Sequence, residues 1–296
     1  MTTPAPPGLI RPDTDPLPEP IALEGGIGQL RRAVAYSAPA GFRPLELDPY
    51  TPIEQPAPVI VFLHGGGWRL GSRDVFVPTW SDWHPDPFRQ LVAAGFAVAS
   101  IDYRLSGEAV FPAQLDDAQA AVAWLRTRAD EVGIDPTRVV AWGESAGAHL
   151  AALLGLTGRE SASTAMAGVV DWYGPADLTT MAAQALPTGI ARSDAPDSRE
   201  SLLIGAPVGQ APELARRASP VSYVHPEAPP FHIAHGDADR FVPSGQSRQL
   251  ADALRAAGVE VEFSEVTGAD HLWMGATDPG AIFDAAVGFA RRVTDR

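Results

Sequence analysis

Apolar residues along this chain fall into short unbroken runs, separated by stretches whose apolar positions recur every three or four residues. VIVFLHG (59–65), FAVASIDYR (96–104), RVVAWGES (138–145), AGVVDWYG (167–174) and PFHIAHGD (230–237) are β-branched and aromatic runs that end near glycine. Each reads as a strand buried on both faces. VEVEFSEV (259–266) alternates and reads as an outer strand. LRRAVAYS (30–37) and FRPLEL (42–47) read as half-buried strands before a proline-rich turn at 52–58. Helical periodicity covers 87–95, 113–133, 145–156, 244–258 and 279–293. Strands alternating with helices predict an α/β fold with a mostly parallel central sheet and helices on both faces. Residues 1–29 are rich in proline and glycine and read as an N-terminal arm, extended or poorly ordered. Residues 30–296 then form a single domain, with irregular excursions near 68–87 and 175–228.

Composition narrows the chemistry. The chain has 296 residues, 45% hydrophobic and 20% charged, as in soluble globular proteins. No apolar run reaches the ~18 residues of a membrane helix. The N-terminus has no apolar core of a secretory signal, so a cytoplasmic location and no membrane partner are expected. A net charge of −14 argues against nucleic acid as a partner. The chain contains no cysteine, lysine or asparagine. Disulfides, thiolate metal sites and cysteine nucleophiles are therefore excluded, as are Schiff bases, pyridoxal anchoring and a Walker lysine.

Against that background, Gly143-Glu144-Ser145-Ala146-Gly147 stands between a buried strand and a helix. That is the context in which G-x-S-x-G presents a nucleophile on a tight turn. His64-Gly65-Gly66-Gly67-Trp68 follows an earlier buried strand. Glycines there let the chain approach closely and turn amides toward an oxyanion, so Gly66, Gly67 and Ala146 are the candidate donors. The base must be a histidine. Of seven, His271 stands on a loop after the last strand and before the last helix, within reach of such a serine. His64 suits a backbone-orienting role, and His149 a packing one. For the acid, Asp239 lies just past the end of the strand PFHIAHGD, with Asp237 as near competitor and Asp171 third. Asp270 reads as turn chemistry. The order Ser145, Asp239, His271 is that of α/β-hydrolases, and differs from both classic serine-protease orders.

HGGGW, DYRL (102–105), FPAQLDD (111–117), GESAGAHLA (143–151), DWYGPADL (171–178), HGDADRFVP (235–243) and GADH (268–271) together resemble the hormone-sensitive-lipase-like esterases. The likeness is to the branch with feruloyl-esterase-like and acetyl-esterase-like members, and it runs from about residue 42 to the end. The resemblance implies an α/β-hydrolase fold, no cofactor or metal, a Ser145–Asp239–His271 triad, and oxyanion donors Gly66, Gly67 and Ala146. It implies hydrolysis of small to medium carboxylic esters through an acyl-serine. Two features depart from the pattern. Glu144 stands where many members have aspartate, and 71–86 is longer and more aromatic than the usual loop. Trp68, Trp80, Trp83, His84, Phe241 and Trp273 are candidate pocket residues, with core packing as the competing reading.

HGGGW followed by GESAGAHL also resembles arylformamidases of the N-formylkynurenine type, which makes an amide hydrolase the second enzymatic expectation. A non-catalytic small-molecule-binding protein on the same fold is the alternative of another class, which the presence of His271 disfavours. Relatives of this kind often dimerise, so a homodimer is the candidate assembly.

Overall fold

The structure, a computed structural model, describes residues 10–158 and 165–295. Its organising element is β5 (Ala57–Leu63), whose side chains alternate between two cores. Val59, Val61 and Leu63 enter one, Ile60 and Phe62 the other. A strand apolar at every position has to be covered on both faces, and it is.

The same division extends over one sheet. Among the described residues it comprises β1 (Ile21–Ala22), β2 (Gly28–Leu30), β3 (Val34–Ser37), β4 (Leu45–Pro52), β5, β6 (Ala97–Ile101), β7 (Ile134–Glu144), β8 (Gly168–Trp172), β9 (Phe231–Gly236) and β10 (Val261–Val266). Their spatial order is β1-β2-β4-β6-β5-β7-β8-β9-β10, with β3 on β4. β6 through β10 run parallel to β5, while β4 is antiparallel to β6. Helices α2 (Ala113–Thr127), α4 (Ala146–Thr157) and α8 (Gly245–Ala256) cover the first face. Helices α1 (Pro87–Ala93) and α9 (Pro279–Thr294) cover the second. In α9, Ile282, Phe283, Ala286, Phe289, Ala290 and Val293 form the apolar stripe that a 3.6-residue period demands.

This topology positions a site. The chain steps from β5 to β6 on one side, then crosses back to β7 on the other side of β5. Loops leaving the carboxyl ends of β5 and β7 therefore diverge, and ligand crevices of open α/β sheets lie at such a reversal. The HGGGW loop and Ser145 leave those two strands side by side, since Leu63 pairs with Gly143.

The structure departs from the sequence reading in three places. The arm is partly sheet: β1 and β2 form an antiparallel pair, and β2 adds to β4. The Pro12 carbonyl accepts from the Trp124 indole at 2.8 Å and from Arg128 at 2.8 Å, which pins the arm to the first face. Strands of two and three residues carry no readable period; β2 is created by pairing with β4, distant in sequence, and β1 by pairing in turn with β2. None of residues 10–29 lines the cleft beside Ser145.

The helix expected over 113–133 breaks at Arg128 (φ −104°, ψ 20°) into α2 and α3 (Ala129–Val132), and left-handed Gly133 ends it. The 175–228 excursion holds α5 (Met181–Gln184), α6 (Arg199–Ile204) and α7 (Pro212–Arg217), each too short for its periodicity to stand out. No helix among the described residues is long and apolar enough to cross a membrane.

Candidate active site

Ser145 follows β7 directly and has φ 54° and ψ −120°, a region that side-chain-bearing residues rarely occupy. The flanking glycines explain how the chain tolerates it. A methyl on Gly147 would collide with the Leu63 carbonyl, and one on Gly143 with the Gly147 backbone. The turn is thus pressed against the end of β5 with no room for a Cβ. Gly147→Ala is expected to lower the unfolding temperature by at least ~5 °C, on the scale of core overpacking. Thermal unfolding checks it, and a wild-type value would mean the turn relaxes freely.

Three side chains meet at this turn. His271 Nε2 lies 3.0 Å from Ser145 Oγ, and His271 Nδ1 lies 2.7 Å from Asp239 Oδ2. Asp239 Oδ1 accepts from the backbone amides of Phe241 (2.8 Å) and Val242 (2.9 Å). Its second oxygen also faces His235 Nε2 at 3.3 Å. Burial alone would push this carboxyl up, but hydrogen bonds from His235 and His271 hold it well below the usual carboxylate range. Asp239 is 1% exposed, whereas Ser145 and His271 are each 8% exposed and reach the cleft. An imidazole so held can accept the hydroxyl proton at Nε2 while an ionised carboxylate stabilises the charge it gains.

The competing carboxylates do other work. Asp237 Oδ1 accepts from Gly268 N at 2.7 Å. Asp270 Oδ1 accepts from Arg240 N and His271 N, and its other oxygen pairs with the Arg240 guanidinium. Both staple the loop after β9 to the loop after β10. Asp171 accepts from Gly174 N at 2.9 Å, and burial pushes it up to about 6.

The glycine loop is held from beneath. His64 stacks on Tyr103 at 4.4 Å between ring centres, and the Tyr103 hydroxyl donates to the His64 carbonyl at 2.8 Å. Gly65 N donates to Glu144 Oε1 at 2.6 Å. Burial pushes the Glu144 carboxyl up to about 7. The glutamate before the serine thereby ties the two turns together, a role its identity in the sequence did not disclose. Gly66 (φ 104°) and Gly67 (φ 62°) adopt left-handed backbone. Among the described residues, no protein acceptor takes the amides of Gly66 and Gly67. They and Ala146, the first residue of α4, border the space beside Ser145.

Two cavities meet at the serine. The larger, about 510 Å³, has walls from Leu70, Ser72, Val75, Pro78 and Leu272. The smaller, about 20 Å³, is a pouch closed by Trp68, Pro175, Ala191, Glu200 and Val242. Phe241 and Arg199 line both. Of the expected pocket aromatics, Trp68 and Phe241 do face the serine. His149 accepts from the Trp68 indole at 3.2 Å and donates to the Ala218 carbonyl at 2.6 Å, fixing Trp68 in place. Trp80, Trp83 and Trp273 belong instead to the second core: Trp80 stacks on Trp83 at 4.2 Å, and both Trp80 and Trp273 pack edge-on against Trp172. Their rings are large enough to fill the space between the 71–86 loop and the sheet, so packing claims them. His84 is exposed and lines neither cavity. The loop owes its position to Arg73, which bonds Asp48 at 2.8 Å and Asp102 at 2.5 Å.

Arg199, Glu200 and Ala191 come from a part of the 175–228 excursion that carried no motif to mark them, and Pro175 stood in DWYGPADL without a site role assigned to it. His235 was visible as the first residue of HGDADRFVP, at the end of a strand, with nothing to mark its approach to the Asp239 carboxylate. No cluster of metal-ligating side chains occurs among the described residues.

A mostly parallel sheet with this loop order and a strained serine at its carboxyl edge defines an α/β-hydrolase fold. Within that class the chain belongs to the BD-FAE family, whose model matches residues 47–254. It is 37% identical over 233 residues to esterase LipQ of Mycobacterium tuberculosis, covering 73% of this chain and 50% of LipQ. It is 31% identical over 243 residues to carboxylesterase NlhH of the same species, covering 79% of this chain and 71% of NlhH. The chain thus spans about half the length of LipQ. A truncated carbohydrate esterase from gut microbiota superposes with a TM-score of 0.79 at 27% identity, over 95% of this chain and 100% of that one.

Proposed function

We propose that the protein is a serine carboxylesterase acting on small to medium carboxylic esters. The observation that carries this reading is the hydrogen-bonded line from Ser145 through His271 to Asp239. Esterase and carboxylesterase relatives support it. In the proposed mechanism, His271 Nε2 takes the Ser145 proton as Oγ attacks the ester carbonyl. The oxyanion rests on the amides of Gly66, Gly67 and Ala146. His271 then protonates the leaving alkoxide, and water repeats the sequence to free the acid. Asp239 stays ionised throughout. The unequal cavities constrain the substrate. A pouch of about 20 Å³ has room for one or two heavy atoms, so one side of the ester is short. The larger group occupies the cleft.

Exposure to a fluorophosphonate followed by peptide mass spectrometry tests the reading without a choice of ester. A single adduct on Ser145 is expected. A folded protein that takes none would return the non-catalytic binding reading to first place.

A further inference from the structure

We propose that Arg199 forms an anion subsite in the cleft, so that preferred substrates are esters carrying a carboxylate on the group that occupies it. The inference rests on the serine-esterase reading above. Arg199 opens α6 and lines both cavities that meet at Ser145. Its aliphatic stem packs on the oxyanion loop so closely that a Cβ on Gly67 would strike it. Its guanidinium lies over the Phe241 ring, 5.7 Å from the centre, and Phe241 in turn packs against His271 at 5.4 Å. The exposed Arg199 thus places its cation over Phe241, one ring away from His271, on the wall shared by the two cavities. Among the described residues it forms no ion pair. Arg43, Arg73, Arg104 and Arg240 each hold a carboxylate. The neighbouring Glu200 is buried, 7% exposed, behind the pouch; its carboxylate feels the Arg199 charge but does not come within ion-pair distance of it.

The other titratable groups facing the cleft are already engaged. His64 Nδ1 bonds the Gly65 carbonyl, His271 bonds Ser145 and Asp239, and Glu144 takes the Gly65 amide. The remaining wall is mostly apolar, through Leu70, Val75, Pro78 and Leu272. An apolar slot with one unpaired guanidinium suits an aromatic or aliphatic body bearing a carboxylate, which arginine can grip with two parallel hydrogen bonds. A chain of net charge −14 repels anions in general, so this selectivity has to be local.

The test compares 3- and 4-acetoxybenzoate with the neutral 3- and 4-acetoxybenzamides, equal in shape but uncharged. The wild-type protein is expected to favour the anion of at least one pair by about tenfold in kcat/KM, through KM. That preference should weaken with added salt, vanish in Arg199→Gln and survive in part in Arg199→Lys. Equal kcat/KM within both pairs, or a preference that persists in Arg199→Gln, overturns the subsite and leaves the esterase reading standing. Failure to turn over any of the four, with no fluorophosphonate adduct, overturns both.

Discussion

Ser145→Ala is expected to lower kcat for a short-chain ester such as 4-nitrophenyl acetate by ~10⁴-fold or more. The size of the effect follows from what the substitution leaves behind. Without Oγ no acyl-enzyme forms, and His271 with the glycine-loop amides can at best orient a water molecule. The variant should nevertheless fold, because the strain at this turn lies in the backbone (φ 54°) and alanine accepts it about as well as serine. The interactions that hold the neighbours are also independent of Oγ. His271 keeps Asp239, and Asp239 keeps the amides of Phe241 and Val242. An unchanged unfolding temperature beside lost turnover would locate the loss in the chemistry. Fluorophosphonate labelling of the residual activity guards against traces of wild-type protein. Turnover within an order of magnitude of wild type would remove Ser145 as nucleophile.

The parts of this site that were legible in the sequence share a physical reason. A nucleophile elbow needs glycine at two positions because Leu63 and Gly147 leave no space for a Cβ, and an oxyanion loop needs glycine to turn its amides. Such backbone demands write themselves into residue identity at fixed spacing. The strands were readable for a similar reason, since a strand covered on both faces has to be apolar nearly throughout, as β5 is. The pocket was not. Whether a tryptophan faces substrate or core depends on which way its loop lies. Arg73 sets that for 71–86 through Asp48 and Asp102, partners 25 and 29 residues away. Arg199 and Glu200 were invisible because short helices in an excursion have no motif, and their place beside Ser145 comes from packing alone. The strands within residues 21–29 left no mark in the sequence because their hydrogen bonds come from elsewhere in the fold: β2 bonds the edge of β4, and β1 bonds β2.

The acid offers the sharpest discrimination between neighbours. Asp239→Asn is expected to reduce kcat by about 10⁴-fold, on the scale of the same change in other triads. The reason is tautomeric. In the wild-type site, the ionised Asp239 Oδ2 accepts a hydrogen bond from Nδ1–H of His271, leaving a lone pair on Nε2 toward Ser145. Asparagine can turn its NH₂ to Nδ1, which then becomes the acceptor and forces the proton onto Nε2, where it blocks acceptance from the serine. The backbone amides of Phe241 and Val242 favour that orientation, since they call for the amide oxygen at the Oδ1 position. Asp237→Asn, two residues earlier, should change kcat by no more than about threefold. Its side chain accepts from Gly268 N, a bond that an amide oxygen makes equally well. Steady-state kinetics on the two variants side by side, with Ser145 labelling to count intact sites, decides between them. A large loss in Asp237→Asn with a small one in Asp239→Asn would mean that the loop after β9 rearranges in solution and presents the other carboxylate. The two backbone amides and His271, all bonded to Asp239, argue against that rearrangement, because all three would lose their acceptor at once.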